Sequence, residues 1–328
     1  MTSEFILKKQ SDYATPKAAI ESFLRGVTPK RVESLERIFN GVDNEVYAVG
    51  FEAQESQFLR IKREGAKSFA TEAWAMEQCR KQGVPVPEIT LLSEIESEGE
   101  LRPVMMVESV KGAPLNKILT SLSDLERAQV AHRTGEAMRR MHSVHTAGFY
   151  ELTLVATDVS GVFEESWDFP DWESLMFQSI KERTEESLRW REAGLSEIES
   201  EKILELMQRY RQEFACVQPV LCHGDFGARH LFFDDRLQLS GIIDFGDFVG
   251  GPPILDFAGL HSDCPEIDMN AICTGYGDAF ELTDRFESRL RLHALCDNAG
   301  SLNWHLLHKN FGRLEKQVSD LRSCLALE

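Results

Sequence analysis

The N-terminal third of the chain alternates hydrophobic and polar residues at the period-two spacing of β-strands. The segments NEVYAVGF (44–51) and SQFLRIKRE (56–64) follow this alternation, with the polar residues EAQE between them. The segments VPVPEITLL (84–92) and RPVMMVESV (102–110) predict an extended entry and a further strand. The first part of the protein is therefore predicted to be a small sheet.

Helical spacing of hydrophobic residues dominates the rest of the chain, and one helix already interrupts the strands. The segment SFATEAWAMEQCRKQG (68–83) predicts a helix with Ser68 as its N-cap and the final glycine as its end. The segments 123–145 and 197–217 carry apolar side chains three and four residues apart, and helices are expected again from Leu260 to the C-terminus. A β-rich part followed by a helical part predicts an α+β architecture with two lobes.

A group of short strands interrupts the helical part and carries the residues best suited to chemistry. The segment VLCHGDFGARHLFFDDRLQLSGIIDFGD (220–247) predicts a strand before Asp225, a second strand after His230 and a third that ends at Asp244. If the last two strands are antiparallel neighbours, these three side chains converge at one end. Carboxylates gathered at one point raise each other's pKa unless a cation lies among them, and a divalent metal ion is the simple remedy.

Two chemistries fit this convergence. In phosphoryl transfer, Asp225 accepts the proton of an attacking hydroxyl, while His230 and Asp244 hold the metal ion on a nucleotide. In a metallohydrolase, side chains of the same kinds bind metal and activate water. Only phosphoryl transfer predicts a nucleotide-binding lobe earlier in the chain.

The N-terminal third contains side chains suited to phosphate binding. Arg60 and Lys62 lie on one face of a predicted strand, and Glu72, on the inward face of the next helix, is their natural partner. The turn in NGVDNEVYAV, with Gly41 and Asn44, is suitable for covering phosphates. A strand cation, a helix glutamate and a later DFG in this order favour phosphoryl transfer over hydrolysis.

The composition limits the classes of molecule that the protein is expected to bind. A net charge of −18 at pH 7 argues against nucleic acid and anionic membranes and favours cationic small molecules. Residues 164–205 hold thirteen acids and five bases, a net of −8, which is either a solvated helical face or an acidic wall for a polycationic substrate. The seven cysteines are scattered along the chain and the sequence has no signal-peptide pattern, so we expect a cytoplasmic protein with reduced thiols. The sequence has no apolar stretch of roughly 20 residues, so no membrane span is expected.

Taken in order, these segments resemble the aminoglycoside phosphotransferase family, kinase-like enzymes that phosphorylate hydroxyls of small molecules. The pair HGD and IIDFGD is the specific part of the resemblance. The looser parts occur in family order and are GVDNEVYAV, FLRIKRE, GVPVPEI, MMVESVKGAPL, MRRMHSVHTAGF, LDFAGL and TGYGDAF. The resemblance implies a protein-kinase-like fold with a small β-rich N-lobe and a larger, mostly helical C-lobe.

The resemblance also implies roles for individual residues. Asp225 corresponds to the catalytic aspartate and Asp244 to the metal-binding aspartate. Arg60 occupies the position of the strand cation that contacts phosphate, with Lys62 as the local alternative, and Glu72 matches its partner on the helix.

The resemblance also implies a division of the chain into two lobes. The N-terminal nucleotide-binding lobe is expected to span 1–107, and the C-terminal catalytic and substrate-binding lobe 108–328, with a connecting segment near 108–112. Glu108 and Val110 lie in that segment, whose backbone pairs with the nucleotide base, and Asn44 belongs to the turn over the phosphates.

His230 departs from the common family pattern, which has Asn at this position. Branches that act on the 2″-hydroxyl of aminoglycosides or on macrolides also carry His there, so the resemblance implies that His230 binds metal together with Asp244. Asp256, in LDFAGL, resembles an aspartate that supports the catalytic loop, and His223 is expected to brace that loop. Arg229 is expected to be a solvated loop arginine.

The expected activity is transfer of the γ-phosphate of ATP or GTP, with Mg²⁺, to a hydroxyl of an aminoglycoside-type antibiotic. The sequence leaves open a macrolide, sugar or amino-alcohol acceptor. It also leaves open a non-catalytic nucleotide-binding relative, although the presence of both Asp225 and Asp244 favours an enzyme.

Overall fold

The computed structural model describes residue 7 and residues 14–39, 44–52, 55–63, 68–156, 163–176, 178, 189–277 and 285–326. Contacts between Cα atoms divide the chain into two compact units. Unit 1 comprises Met1–Trp74 and Val86–Lys111, and unit 2 comprises Ala75–Pro85 and Gly112–Glu328.

Unit 1 is built on a five-stranded antiparallel sheet with the order β1-β2-β3-β5-β4. Its strands are β1 (Val32–Ile38), β2 (Asn44–Phe51), β3 (Gln57–Lys62), β4 (Ile89–Ser97) and β5 (Glu100–Glu108). Helix α1 (Lys17–Val27) precedes the sheet. Helix α2 (Ala70–Lys81) follows β3 and begins in unit 1, and its residues from Ala75 onward belong to unit 2.

The core of unit 1 follows from the alternation in the sequence. Every second residue of β2 and β3 is buried, so one face of the sheet is mostly apolar, with Glu45 and Gln57 as buried polar residues. Helix α1 buries Ile20 and Leu24 in the same cluster as Val49, Leu59 and Ile61. The helix therefore covers the apolar face of the sheet.

A buried carboxylate anchors the segment before α1 to this sheet. Glu45 is fully buried and accepts hydrogen bonds from the backbone N–H and the hydroxyl of Thr15, at 2.8 and 2.9 Å. It also pairs with Arg102 at 3.0 Å and accepts from the hydroxyl of Tyr47 at 2.8 Å. These contacts supply the partners that a buried charge requires.

Unit 2 is mostly helical. Its helices are α3 (Leu115–Ile118), α4 (Asp124–Met141), α5 (Glu197–Arg209), α6 (Ile254–Asp263), α7 (Met269–Tyr276), α8 (Phe286–Leu307) and α9 (Phe311–Ala326). Ser123 and Ser196 begin α4 and α5 with capping boxes. A large apolar cluster around Trp190, Phe214 and Leu302 forms the core of this unit.

Two small sheets interrupt the helices of unit 2. Their strands are β6 (Ala113–Pro114), β7 (Phe149–Ala156), β8 (Phe163–Phe169), β9 (Val220–Cys222), β10 (Leu231–Phe233), β11 (Leu239–Ile242) and β12 (Val249–Gly251). One sheet has the order β11-β10-β6 and the other the order β8-β7-β12-β9.

The structure confirms the α+β pattern, the strands predicted in the first third and the helices predicted at 68–83 and 123–145. The helix predicted at 197–217 is present but ends at Arg209, and a short 3₁₀ turn (Arg211–Phe214) follows it. The helices that follow the short strands begin earlier than predicted, since the first of them, α6, begins at Ile254 and the prediction was Leu260. The acidic segment 164–205 is also not purely helical, since β8 occupies its first residues.

Two other sequence predictions concern the turn around Gly41 and membrane-spanning helices. The predicted turn around Gly41 lies outside the described residues. Among the described residues, no helix combines the length and apolarity that crossing a bilayer requires.

Candidate active site

Pairing of β10 with β11 brings the predicted catalytic residues of unit 2 together. Leu231 lies opposite Ile242 in this antiparallel pair, so the residue before β10 lies beside the residues after β11. His230 Nε2 lies 3.7 Å from Oδ2 of Asp244, and His230 Nδ1 lies 3.8 Å from Oδ2 of Asp225. The structure thus places all three side chains at one end of the strand pair.

The hydrogen bonds of His230 define which ring nitrogen can bind a metal ion. Nδ1 lies 2.9 Å from the backbone carbonyl of Asp225, which can only accept, so Nδ1 carries the proton. In the neutral ring Nε2 then has a lone pair, and this is the atom near Asp244. Burial, with the nearby His223 and Arg229, lowers the pKa of His230 and favours the neutral ring.

This donor set fits a divalent cation. One imidazole nitrogen and one carboxylate oxygen lie 3.7 Å apart, a separation that a metal ion bound to both can bridge. Asp244 has a left-handed backbone (φ 69°), which ends β11 and begins the turn Phe245–Asp247. Aspartate tolerates this conformation better than most residues.

Asp256 holds the loop that carries Asp225. Its carboxylate accepts the backbone N–H of His223 at 2.7 Å and that of Gly224 at 3.0 Å. Gly224 has a φ of +79°, and a Cβ there would lie 1.9 Å from the carbonyl oxygen of Asp247, so only glycine fits. The predicted support from Asp256 is therefore present in the hydrogen bonds of the structure.

His223 braces the same loop. Its Nε2 lies 2.9 Å from the carbonyl of Ile243, and its Nδ1 accepts the N–H of Asp225 at 3.3 Å. Cys222, just before it, is fully buried, and burial raises the pKa of its thiol well above the ordinary value. The thiol is therefore neutral and unsuited to act as a nucleophile.

His142 also belongs to this support. Nε2 of His142 lies 3.1 Å from the carboxylate of Asp256, and Nδ1 lies 3.1 Å from the hydroxyl of Tyr276. His142, Cys222 and Asp256 also form a buried group of potential metal ligands. Hydrogen bonds already occupy His142 and Asp256, so the cluster is best described as a buried network behind the loop.

Arg229 is not the solvated loop arginine that the sequence predicts. One of its terminal nitrogens lies 2.5 Å from both carboxylate oxygens of Asp225, and the other lies 3.0 Å from Asp263 at the end of α6. Sequence reasoning missed Asp263. For the contact of Arg229 with Asp225, the available signal in the sequence was their separation of four residues.

In unit 1, the predicted phosphate-binding residues form an ion pair. Arg60 on β3 pairs with Glu72 on α2, and the Glu72 side chain is buried. The ring of Phe69 lies 5.4 Å from the Arg60 guanidinium and 4.8 Å from the Lys62 ammonium. Glu72 thus lies inward as predicted and pairs with Arg60.

The remaining predicted residues of unit 1 lie at strand ends. Asn44 begins β2 opposite Lys62 on β3. Glu108 ends β5, and its backbone N–H donates to the carbonyl of Glu88 at 2.9 Å. Val110 follows β5 and is half-buried.

A family model described as the phosphotransferase enzyme family matches residues 34–292. This match covers most of the chain, so the chain belongs to the phosphotransferase enzyme family. The family predicted from the sequence is confirmed, and the protein is a phosphotransferase.

Solved structures support the same fold. A thermostable mutant of aminoglycoside phosphotransferase APH(4)-Ia, determined with ADP and hygromycin B, has a TM-score of 0.69 at 17% identity, covering 94% of this chain and 98% of that chain. A Thermobifida fusca protein described as a putative fructosamine-3-kinase has a TM-score of 0.63 at 16% identity, covering 93% and 98%. The gentamicin complex of APH(2″)-IIa has a TM-score of 0.59 at 18% identity, covering 94% and 96%.

At these identities the neighbours establish the fold alone. The predicted kinase-like fold, with a β-rich N-terminal region and a helical C-terminal region, is confirmed. The acceptor and the roles of individual residues stay predictions.

Proposed function

We propose that this protein transfers the γ-phosphoryl group of ATP or GTP, with Mg²⁺, to a hydroxyl of a small molecule. The observation that carries the proposal is the convergence of Asp225, His230 and Asp244 at one end of the β10–β11 pair. The reaction uses side chains that can hold a metal ion and a carboxylate left to accept a proton, and these three residues supply both.

Each residue of the cluster then has a distinct role. Asp225 accepts a hydrogen bond from the acceptor hydroxyl and takes its proton as the oxygen attacks phosphorus. His230, through Nε2, and Asp244 hold the metal ion, which when bound neutralises phosphate charge and orients the transferred group. Asp256 keeps the loop backbone fixed, so that the carboxylate of Asp225 needs little rearrangement before the reaction.

The nucleotide is assigned to residues 1–107, and catalysis and acceptor binding to 108–328, with the connection near 108–112. Arg60, oriented by Glu72, contacts the phosphates together with Asn44 at the start of β2. Since the N–H of Glu108 is donated to Glu88, base pairing falls to the carbonyl of Glu108 and the N–H of Val110.

Replacement of Asp225 tests the reaction directly. Asp225→Asn should retain nucleotide binding, since the carboxylate acts in the transfer step, while turnover should fall by roughly 10²–10⁴-fold. Nucleotide affinity is measured by calorimetry and turnover by release of nucleoside diphosphate, across kanamycin-type, erythromycin-type and sugar-amine acceptors. Weak nucleotide binding with near-normal turnover would contradict the assignment of Asp225.

The acceptor is proposed to be a cationic, aminoglycoside-type molecule that meets the β7–β8 strand pair. Tyr150 on β7 pairs with Gly250 on β12, and β12 begins two residues after Asp247, so these strands connect directly to the Asp244 turn. Glu165 and Asp168 on β8 are exposed. Exposed carboxylates on both faces of this strand would attract ammonium groups of such a substrate.

Salt and charge removal test the cationic acceptor. Glu165→Gln and Asp168→Asn should each raise the KM of a kanamycin-type acceptor several-fold, and added salt should shrink the difference. Asp235→Asn is the matched control, because Asp235 is exposed on the turn at the other end of the β10–β11 pair. Preference for an erythromycin-type acceptor, or a KM indifferent to salt and to both substitutions, would contradict the proposal.

A further inference from the structure

A charged bridge connects the predicted base to the end of a helix in unit 2. Arg229 contacts both carboxylate oxygens of Asp225 at 2.5 Å and the Oδ1 of Asp263 at 3.0 Å. The other oxygen of Asp263 accepts the backbone N–H of Ala228 at 2.9 Å. Asp263 therefore holds both the side chain of Arg229 and the backbone of the loop that carries Asp225.

Stability alone does not account for this arrangement. The side chains of Asp225 and Arg229 are each more than a third exposed, at 38% and 37%. Ion pairs exposed to this extent contribute little to folding, because water screens them and two flexible side chains lose freedom. The two terminal nitrogens of Arg229 lie in one rigid plane, one on Asp225 and the other on Asp263, so an anchored guanidinium fixes the position of the donor that holds the Asp225 carboxylate.

The backbone beneath the bridge leaves space for it. A Cβ at Gly227 would lie 2.7 Å from Oδ2 of Asp263 and 2.8 Å from a terminal nitrogen of Arg229. Gly227 does not have a left-handed backbone, so its conformation does not demand glycine. A side chain at this position would therefore have to displace the carboxylate of Asp263 or the guanidinium of Arg229.

We propose that Arg229 and Asp263 are positioning residues for phosphoryl transfer: Asp263 fixes Arg229, and Arg229 holds the carboxylate of Asp225 in the orientation that accepts the hydroxyl proton. Arg229 acts through Asp225 and not through the fold. The inference rests on the proposed role of Asp225 as the base.

The test is a double-mutant cycle on nucleoside diphosphate release, measured with the best acceptor of the panel and with water alone as acceptor. Arg229→Gln should lower kcat about 10- to 100-fold with little change in the KM for the nucleotide, since misplacement by about 1 Å can have an effect of this size. In an Asp225→Asn background the same substitution should cause no further loss.

Three more variants separate positioning from charge. Arg229→Lys keeps the charge without the planar fork, and Asp263→Asn weakens the anchor, so both should give intermediate kcat values. Gly227→Ala should lower kcat with every charge retained, because the added methyl group displaces the bridge. Arg236→Gln removes an exposed loop arginine outside the bridge and should leave kcat unchanged.

The outcomes are distinguishable. Absence of turnover in the parent protein with every acceptor and with water would overturn the proposed function and, with it, this assignment. Normal turnover in the parent protein that Arg229→Gln leaves intact would overturn only the positioning role. An equal loss of kcat in the Asp225→Asn background, together with a lower melting temperature, would show that Arg229 supports the fold instead.

Discussion

A single hydrogen bond fixes which ring nitrogen of His230 carries the proton. Donation from Nδ1 to the carbonyl of Asp225 leaves Nε2 as the atom that faces Asp244. Asparagine, the residue common at this position in the family pattern, would offer an amide oxygen in its place. Imidazole nitrogen is a softer ligand than amide oxygen, so the choice of metal ion should respond to this residue.

His230→Ala should therefore raise the metal concentration needed for half-maximal activity, and His230→Asn should shift the preference toward Mg²⁺. In the parent protein, Mn²⁺ should support activity better relative to Mg²⁺ than it does in His230→Asn, because the softer ion prefers imidazole. Titration of both metals against turnover measures this ratio. An unchanged metal dependence in His230→Ala would show that this histidine only packs in the loop.

His142 provides a stability test of the network behind the loop. His142→Leu removes a buried partner from both Asp256 and the hydroxyl of Tyr276, and it leaves a buried carboxylate with fewer hydrogen bonds. The free energy of unfolding in urea should fall by about 2–4 kcal/mol. His132→Leu, at a half-buried position of the same helix where the side chain is 45% exposed, is the control and should change stability by less than about 0.5 kcal/mol.

At the scale of elements, the crossing of α4 and α7 brings Tyr276 to His142. A Cβ at Gly135 on α4 would lie 2.0 Å from the carbonyl oxygen of Ile272, and one at Gly275 on α7 would lie 1.9 Å from that of His132. Both obstacles are backbone atoms of the opposite helix, which cannot rotate away. Two glycines thus permit the close approach of these helices.

Gly275→Ala should separate α4 from α7 and lower the free energy of unfolding by about 1–3 kcal/mol through overpacking. Gly312→Ala is the matched control, since Gly312 lies in helix α9 and a Cβ there meets no atom within 4 Å. That substitution should be neutral or stabilise the protein by up to about 1 kcal/mol. Equal effects of the two substitutions in urea unfolding would contradict the role assigned to the helix crossing.

The same elements show what the sequence can and cannot predict. The β10–β11 pair was predictable because its strands are short and joined by a tight turn, and their pairing alone brings His230 and Asp244 together. The contact of His142 with Asp256 joins residues 114 positions apart, and no local pattern reports it. The strand β8 was missed for a different reason, since its acidic residues resemble the solvated face of a helix.

At the scale of the whole molecule, the chain carries a net charge of −18 at pH 7 with its histidines counted as neutral. Several of these histidines are buried in unit 2. Burial lowers the pKa of His293 to about 4, with its bond to the carbonyl of Arg289 opposing the shift. Burial and a nearby arginine also lower the pKa of His261 and of His305. These side chains are neutral in the folded protein at a pH where the unfolded chain binds protons.

Stability should therefore rise with pH between about 4 and the ordinary histidine pKa of about 6.5, and then level off. In this window the unfolded chain binds more protons than the folded one, and each such histidine adds a slope of at most about 1.4 kcal/mol per pH unit. His293→Leu should reduce the slope of the unfolding free energy by up to that amount, measured by urea unfolding at a series of pH values. Leu292→Ala, a buried neighbour on α8, should lower stability and keep the slope of the parent protein. A slope that His293→Leu leaves unchanged would show that His293 takes up its proton in the folded state as readily as in the unfolded chain.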